Sequence, residues 1–230
     1  MDILGKLFGS ESKVRIMRLF LFNPEMPFDL DTIAERAKTT LSVARHEVAA
    51  LRKGRFIKGR AFIKRVLKKN GAKRNGVRRK IGGWALNPAF PYLRQLRNLL
   101  IDSGLIKGDE LVRKLSGAGR LKLVILAGIF IQNDDSRVDV LVVGDHLRRG
   151  TLVVAMRGIE AEIGKELRYA AFETNEFRYR LGMYDKLLRD ILDYPHKTVL
   201  DKLGLPPTDT VSRGHTIELP LESPWAIADR

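Results

Sequence analysis

Arg137 and Asp139 stand two residues apart at the front of an apolar run, SRVDVLVVGD (136–145). The run reads as a buried strand, and alternate side chains of a strand share a face. Paired carboxylates at this spacing would converge on one cation, but here an arginine holds the first position. A guanidinium so placed should pair with the carboxylate and neutralise it, so the expectation is an Arg137–Asp139 ion pair. A second chemistry is written as charge alone. Residues 52 to 80 hold fourteen Lys/Arg and no acid, whereas residues 1 to 51 hold seven of each sign and residues 81 to 230 hold twenty-one against twenty. Nearly all of the +15 net charge therefore lies in 29 residues. Such a block repels itself unless a polyanion neutralises it, and nucleic acid is the economical partner.

Other chemistries are excluded by composition. The chain has no cysteine, which removes disulfides, thiolate metal sites and cysteine nucleophiles. Its four histidines (46, 146, 196 and 215) are too scattered to form a local ligand motif, leaving only carboxylates for a metal. No cofactor is implied. No run of 18 apolar residues is present, and MDILGKLFGS lacks the pattern of a signal peptide, so the expectation is a cytoplasmic protein with no membrane partner. A length of 230 residues suits two small domains.

The elements that must position these residues follow from periodicity. In SESKVRIMRLFLFN (10–23), Val14, Met17 and Leu21 fall on one helical face, with Ser10 as N-cap and Asn23-Pro24 as stop. DLDTIAERAKTTLSVARHEVAALRKGRFI (29–57) reads as a short helix with Ile33, Ala34 and Ala37 inward, a turn at Lys38-Thr39-Thr40, and a second helix with Ala44, Val48 and Leu51 inward. Any three-helix core produces similar periodicity. The outward residues near the start of the second helix, Ser42, Arg45 and His46, together with Thr40 at the turn, suit base edges and phosphates in a major groove. Two strand-like stretches follow, joined by NGAKRNG (70–76), whose Asn-Gly steps signal a hairpin. After a helix-turn-helix such a hairpin is a wing. Its Lys64, Arg65, Lys68, Lys69, Lys73, Arg74, Arg78, Arg79 and Lys80 would track the phosphate backbone, positioning the protein while the helix specifies.

The expected domains are a winged helix-turn-helix over 1–87, linker helices over 88–120, an α/β unit over 121–204 and an extended tail over 205–230. The linker carries Leu93, Leu96, Leu99 and Leu100 on a helix expected to bridge the domains, with a homodimer seam as the alternative. Beyond SGAGR (116–120), the strands LKLVILAGIFI and SRVDVLVVGD, a helical LVVAMRGIEAEIGKEL and RYAAFE indicate a covered mixed sheet, giving an overall class of α/β and α+β. The tail, with Leu219, Leu221 and Trp225, reads as an arm packing on the body or as a docking peptide.

AGIFIQNDDSRVDVLVVGD resembles the core of the minimal nucleotidyltransferase domains of the DNA polymerase β superfamily: a strand ending in Gly-Ser, a loop, then Asp-hydrophobic-Asp on the next strand. From about residue 8 to 204 the chain is similar to a prokaryotic family that fuses a winged helix to such a domain, often described as transcriptional regulators. The resemblance implies a site in which two or three carboxylates hold Mg²⁺ and the Gly-Ser turn approaches the phosphates. This chain departs from it. Gly128 matches the glycine, Ile129 replaces the serine, the loop is short, Arg137 replaces the first carboxylate, and Asp139 alone matches the second. Glu173 is the candidate third acid, and Asp134 and Asp135 are possible replacement ligands.

The expectation is therefore a regulator that binds double-stranded DNA, carrying a transferase-like domain (Gly128, Arg137, Asp139) without metal or catalysis that serves assembly or nucleotide sensing. Two alternatives stand beside it: a working nucleotidyltransferase that modifies a partner protein, as in toxin-antitoxin pairs, and a non-specific RNA or nucleic-acid binder.

Overall fold

The structure is a computed structural model that describes residues 3–66, 77–102, 106–133 and 136–205. Lys68, Lys69, Lys73, Arg74, Asp134, Asp135 and the tail with Leu219, Leu221 and Trp225 lie outside the described residues. The fold is mixed, with helices and one four-stranded mixed sheet. Among the described residues no helix is long and apolar enough to cross a membrane.

Helices α1 (Ile3–Leu7), α2 (Glu11–Phe22), α3 (Leu30–Arg36) and α4 (Leu41–Lys53) come first. Each of the last three starts on a side-chain cap: Ser10 accepts the Lys13 N–H, Asp29 the Thr32 N–H and Thr40 the Val43 N–H. Their inward faces match the periodicity, with Val14, Met17, Leu21, Ile33, Ala34, Ala37, Ala44, Val48 and Leu51 all buried. A twisted antiparallel ribbon follows. Its base pairs β1 (Ile57–Gly59) with β4 (Trp84–Leu86), and its outer part pairs β2 (Phe62–Val66) with β3 (Val77–Ile81). The break between the two ladders is bridged by reciprocal backbone bonds between Arg60 and Gly83. Phe28 adds a bridge to Trp84, which ties the ribbon to the residue before the α3 cap. Gly83 must be glycine here, because a Cβ would stand 2.5 Å from the Phe28 carbonyl oxygen.

The segment expected to bridge the two parts folds as α5 (Leu93–Arg97) and a π turn, Asn98–Asp102. It packs on the helical part. Leu100 is buried in the same core as α2, α3 and α4, with Leu93 and Leu96 packed against it. A tie between this segment and α7 runs through the buried Arg18 of α2, whose Nε donates to the Leu100 carbonyl (2.9 Å) and whose Nη1 donates to the Glu162 carbonyl (3.0 Å).

The remaining chain runs α6 (Gly108–Leu115), β5 (Arg120–Leu126), a 3₁₀ turn (Gly128–Ile131), β6 (Val140–Asp145), α7 (Arg149–Ile163), β7 (Tyr169–Glu173), α8 (Thr174–Gly182), α9 (Lys186–Leu192) and β8 (Lys197–Asp201). The sheet order is β7-β6-β5-β8; β5 is antiparallel to both neighbours, and β6 and β7 are parallel across the α7 crossover. Strands β5 and β6 are apolar on both faces because both are covered: Val124, Val140 and Val142 meet α6 and α7, while Leu123, Ile125 and Val143 meet α8 and α9. The helix α7 ends at Gly164, whose φ of 88° favours glycine. A Cβ there would also lie 2.5 Å from the Arg18 carbonyl carbon, so the close approach of α2 and α7 depends on it.

Two strand expectations need correction. The run 121–131 stops being a strand at Leu126 and turns through Gly128–Ile131, and β6 begins at Val140 rather than at 136.

Candidate nucleic-acid interface and the Asp139 cluster

Helix α4 buries Ala44, Glu47, Val48 and Leu51, which leaves Ser42, Arg45, His46, Ala49 and Lys53 as an exposed stripe at helical spacing. Small and donor-bearing side chains predominate in it, as close approach to base edges requires. The Thr40 hydroxyl accepts from the Val43 N–H at 3.3 Å and so sets where this helix begins. On the ribbon, Arg65, Arg78, Arg79 and Lys80 are exposed and have no acidic partner among the described residues. Arg65 lies opposite Arg78 and Lys64 opposite Arg79, so the ladder sets like charges side by side. Directly opposed like charges destabilise a hairpin unless something else neutralises them.

Lys64 differs from the other ribbon cations. Its Nζ sits 2.7 and 2.9 Å from the two Asp29 carboxylate oxygens and 2.9 Å from the Thr32 hydroxyl. It ties the ribbon to the first turn of α3. Burial works against the Asp29 charge, but Lys64 and the Thr32 donors outweigh it and hold the carboxyl below its ordinary range. Arg52, Lys53, Arg55, Lys58 and Arg60, which lie between the stripe of α4 and the outer ribbon in sequence, are exposed as well.

At the other end of the chain, Asp139 is buried, at 1% exposure. Its Oδ1 accepts the Ile129 N–H (3.2 Å) and its Oδ2 the Arg168 N–H (2.8 Å), while the Arg168 guanidinium lies 3.3 Å from both oxygens. Its backbone is engaged as well, donating to the Arg168 carbonyl and accepting from the Ala127 N–H. The carboxylate thus pins the turn after β5 to the start of β7. Gly128 has a φ of 55°, and any Cβ there would collide with Asp139 Oδ1.

The expected Arg137–Asp139 pair is not what forms. Arg137 lies outside β6, so the two-residue period does not apply to it; its Nε stands 3.0 Å from Asp190 Oδ2, an ion pair whose N–H is not aligned on the oxygen. Arg168 takes the place assigned to Arg137. The parallel register explains the exchange: Val140 pairs with Tyr169, so the residues just before them, Asp139 and Arg168, are neighbours although they lie 29 positions apart in sequence.

Glu173 is likewise not beside Asp139. It pairs with Gly144, four residues along from Val140, or about 13 Å at strand rise. Its carboxylate accepts the N–H groups of His146 (3.0 Å) and Leu147 (2.7 Å). Neighbouring Asp145 receives the Thr174 hydroxyl at 2.5 Å, which holds its carboxyl below the ordinary range with help from Lys122 and against slight burial. The acids around β6 therefore serve as backbone and side-chain acceptors at opposite ends of the strand.

Compared with protein-family models, curated proteins and solved structures, the chain returned no match.

Proposed function

We propose that the chain is a sequence-specific DNA-binding regulator of transcription. In this reading 1–87 is a winged helix-turn-helix with α4 in the major groove and the β2–β3 ribbon on the phosphate backbone. The observation that carries it is the set of exposed ribbon cations Arg65, Arg78, Arg79 and Lys80, which have no acidic partner among the described residues and include Arg65 directly opposite Arg78, together with the exposed donor-bearing stripe of α4. A polyanion relieves that repulsion, and the donor-bearing stripe of α4 supplies what phosphate contacts lack, a means of reading bases.

The later part of the chain we read as a nucleotidyltransferase-like fold that has lost transfer chemistry. Supporting this are the antiparallel β5–β6 pair joined through α7 to a parallel β7, with Gly128 and Asp139 brought together between strands. Among the described residues, the Asp139 carboxylate is committed to four protein donors, Glu173 is remote and Arg137 stands where the resemblance places the first carboxylate, which supports a reading without metal chemistry. The fold would serve assembly, and a homodimer would present two ribbons to two half-sites in the cytoplasm.

Selection from a random duplex pool tests the proposal. The expected result is an enriched motif whose affinity falls by roughly 10³ to 10⁵ between about 50 and 200 mM salt. Equal affinity for every duplex, or preference for RNA helices, would count against it. Transfer of label from ATP to a partner protein, lost in Asp139→Asn, would instead establish the enzyme.

A further inference from the structure

A cleft of about 640 Å³ opens where α3 meets α7, between the helical part and the sheet part. Its floor is apolar, formed by Leu19, Gly164 and Leu167. Three cations converge on it from two sides: Arg36 and Lys38 from α3 and the turn after it, and Arg157 from α7. Lys38 reaches across to the Val154 carbonyl (3.1 Å), passing over Gly158, where a Cβ would stand 3.4 Å from its Nζ. Arg157 has no ion-pair partner among the described residues. Arg36 holds Glu166 at 3.2 Å, but that carboxylate is 77% exposed, so water replaces the arginine at little cost. Of the other acids, Glu160 is fixed by accepting the Leu167 N–H at 2.9 Å, and Glu35 faces solvent at the rim.

We propose that this cleft binds a small phosphate ester that also carries N–H or O–H donors. The phosphate dianion would displace Glu166 and sit among Arg36, Lys38 and Arg157, two of which offer the planar fork suited to phosphate oxygens. A carboxylate ligand would leave the third cation unanswered. Glu35 would accept from the ligand's donors, and the volume suits a molecule of mononucleotide size. Lys38 has a φ of 47° in the turn that aims α4, so a ligand that holds Lys38 and Arg157 together favours one placement of α4 over others. That regulatory consequence rests on the DNA-binding reading; the binding site does not.

The test is calorimetric titration of the full chain with AMP, inorganic phosphate and adenosine. AMP should bind once per chain, inorganic phosphate more weakly and adenosine not at all. Arg157→Gln and Lys38→Gln should each weaken AMP by about tenfold. An Arg78→Ala/Arg79→Ala/Lys80→Ala variant should bind AMP as the parent does, showing that the ribbon is not the site. Absence of heat from AMP and phosphate at millimolar concentration, or AMP binding undiminished in both cleft variants, overturns the site. Duplex affinity measured with saturating AMP then separates the two ideas. A change that disappears in Arg157→Gln supports coupling, and no change refutes it. AMP binding without any duplex binding keeps the cleft and ends the regulator reading.

Discussion

Arg78 and Arg168 belong to the same residue type and meet opposite fates. On the ribbon, Arg78 lies across from Arg65 with no carboxylate among the described residues to answer either, while beside β7 the Arg168 guanidinium closes on the buried Asp139. In the first region charge is left unneutralised on an exposed surface; in the second Arg137 is answered by Asp190 and Asp145 by Thr174 and Lys122. The contrast teaches where to look for a partner. A surface whose ions are answered internally gains little by exchanging them, whereas one holding like charges in register gains both the new attraction and relief of the old repulsion.

Substitutions that exchange these fates should give effects of different kinds. Asp139→Ala removes an acceptor from the Ile129 and Arg168 N–H groups, and should lower unfolding stability by about 3 kcal/mol in urea titration while leaving duplex affinity of the folded fraction intact. A metal ligand of a working transferase would show the reverse, lost activity with stability kept. The ribbon triple variant Arg78→Ala/Arg79→Ala/Lys80→Ala should lose about a hundredfold in duplex affinity, with its salt slope reduced by about 3, and keep its melting temperature. Arg45→Ala should cost about 1 to 3 kcal/mol on the preferred duplex and relax preference at one base position, without changing the salt slope as the ribbon variant does.

Asp29 lies at the junction of the two behaviours, since it caps α3 and holds Lys64. Asp29→Ala should cost about 1 to 2 kcal/mol. Because its carboxyl is held below the ordinary range, its contribution is full above about pH 4 and is lost as pH falls through the lowered value. Melting temperatures of the parent and the variant should therefore converge below about pH 4.

Local rules served well for the helical part. Caps, stops and the inward faces of α2, α3 and α4 are short-range properties, and they hold residue by residue from Ser10 to Leu51. Legibility fails where a contact depends on pairing between distant segments. Nothing local to Asp139 marks Arg168 as its partner; only the parallel β6–β7 register does. The same applies to Arg18, which reads as an exposed helix arginine until α7 is placed over it, and to Lys64, one more cation in a basic run until Asp29 is brought beside it. The pair expected from Arg137 failed for a different reason: the strand was drawn four residues too long, and the face rule was applied outside it.

The most direct measurement is the affinity of the full chain for its selected duplex and for a scrambled duplex of equal length, at two salt concentrations. The account predicts a steep salt dependence shared by both duplexes, with a preference for the selected one that survives at higher salt and shrinks in Arg45→Ala. Equal affinities at both salts, with no effect of Arg45→Ala, would contradict a sequence-reading α4 and leave only a basic surface.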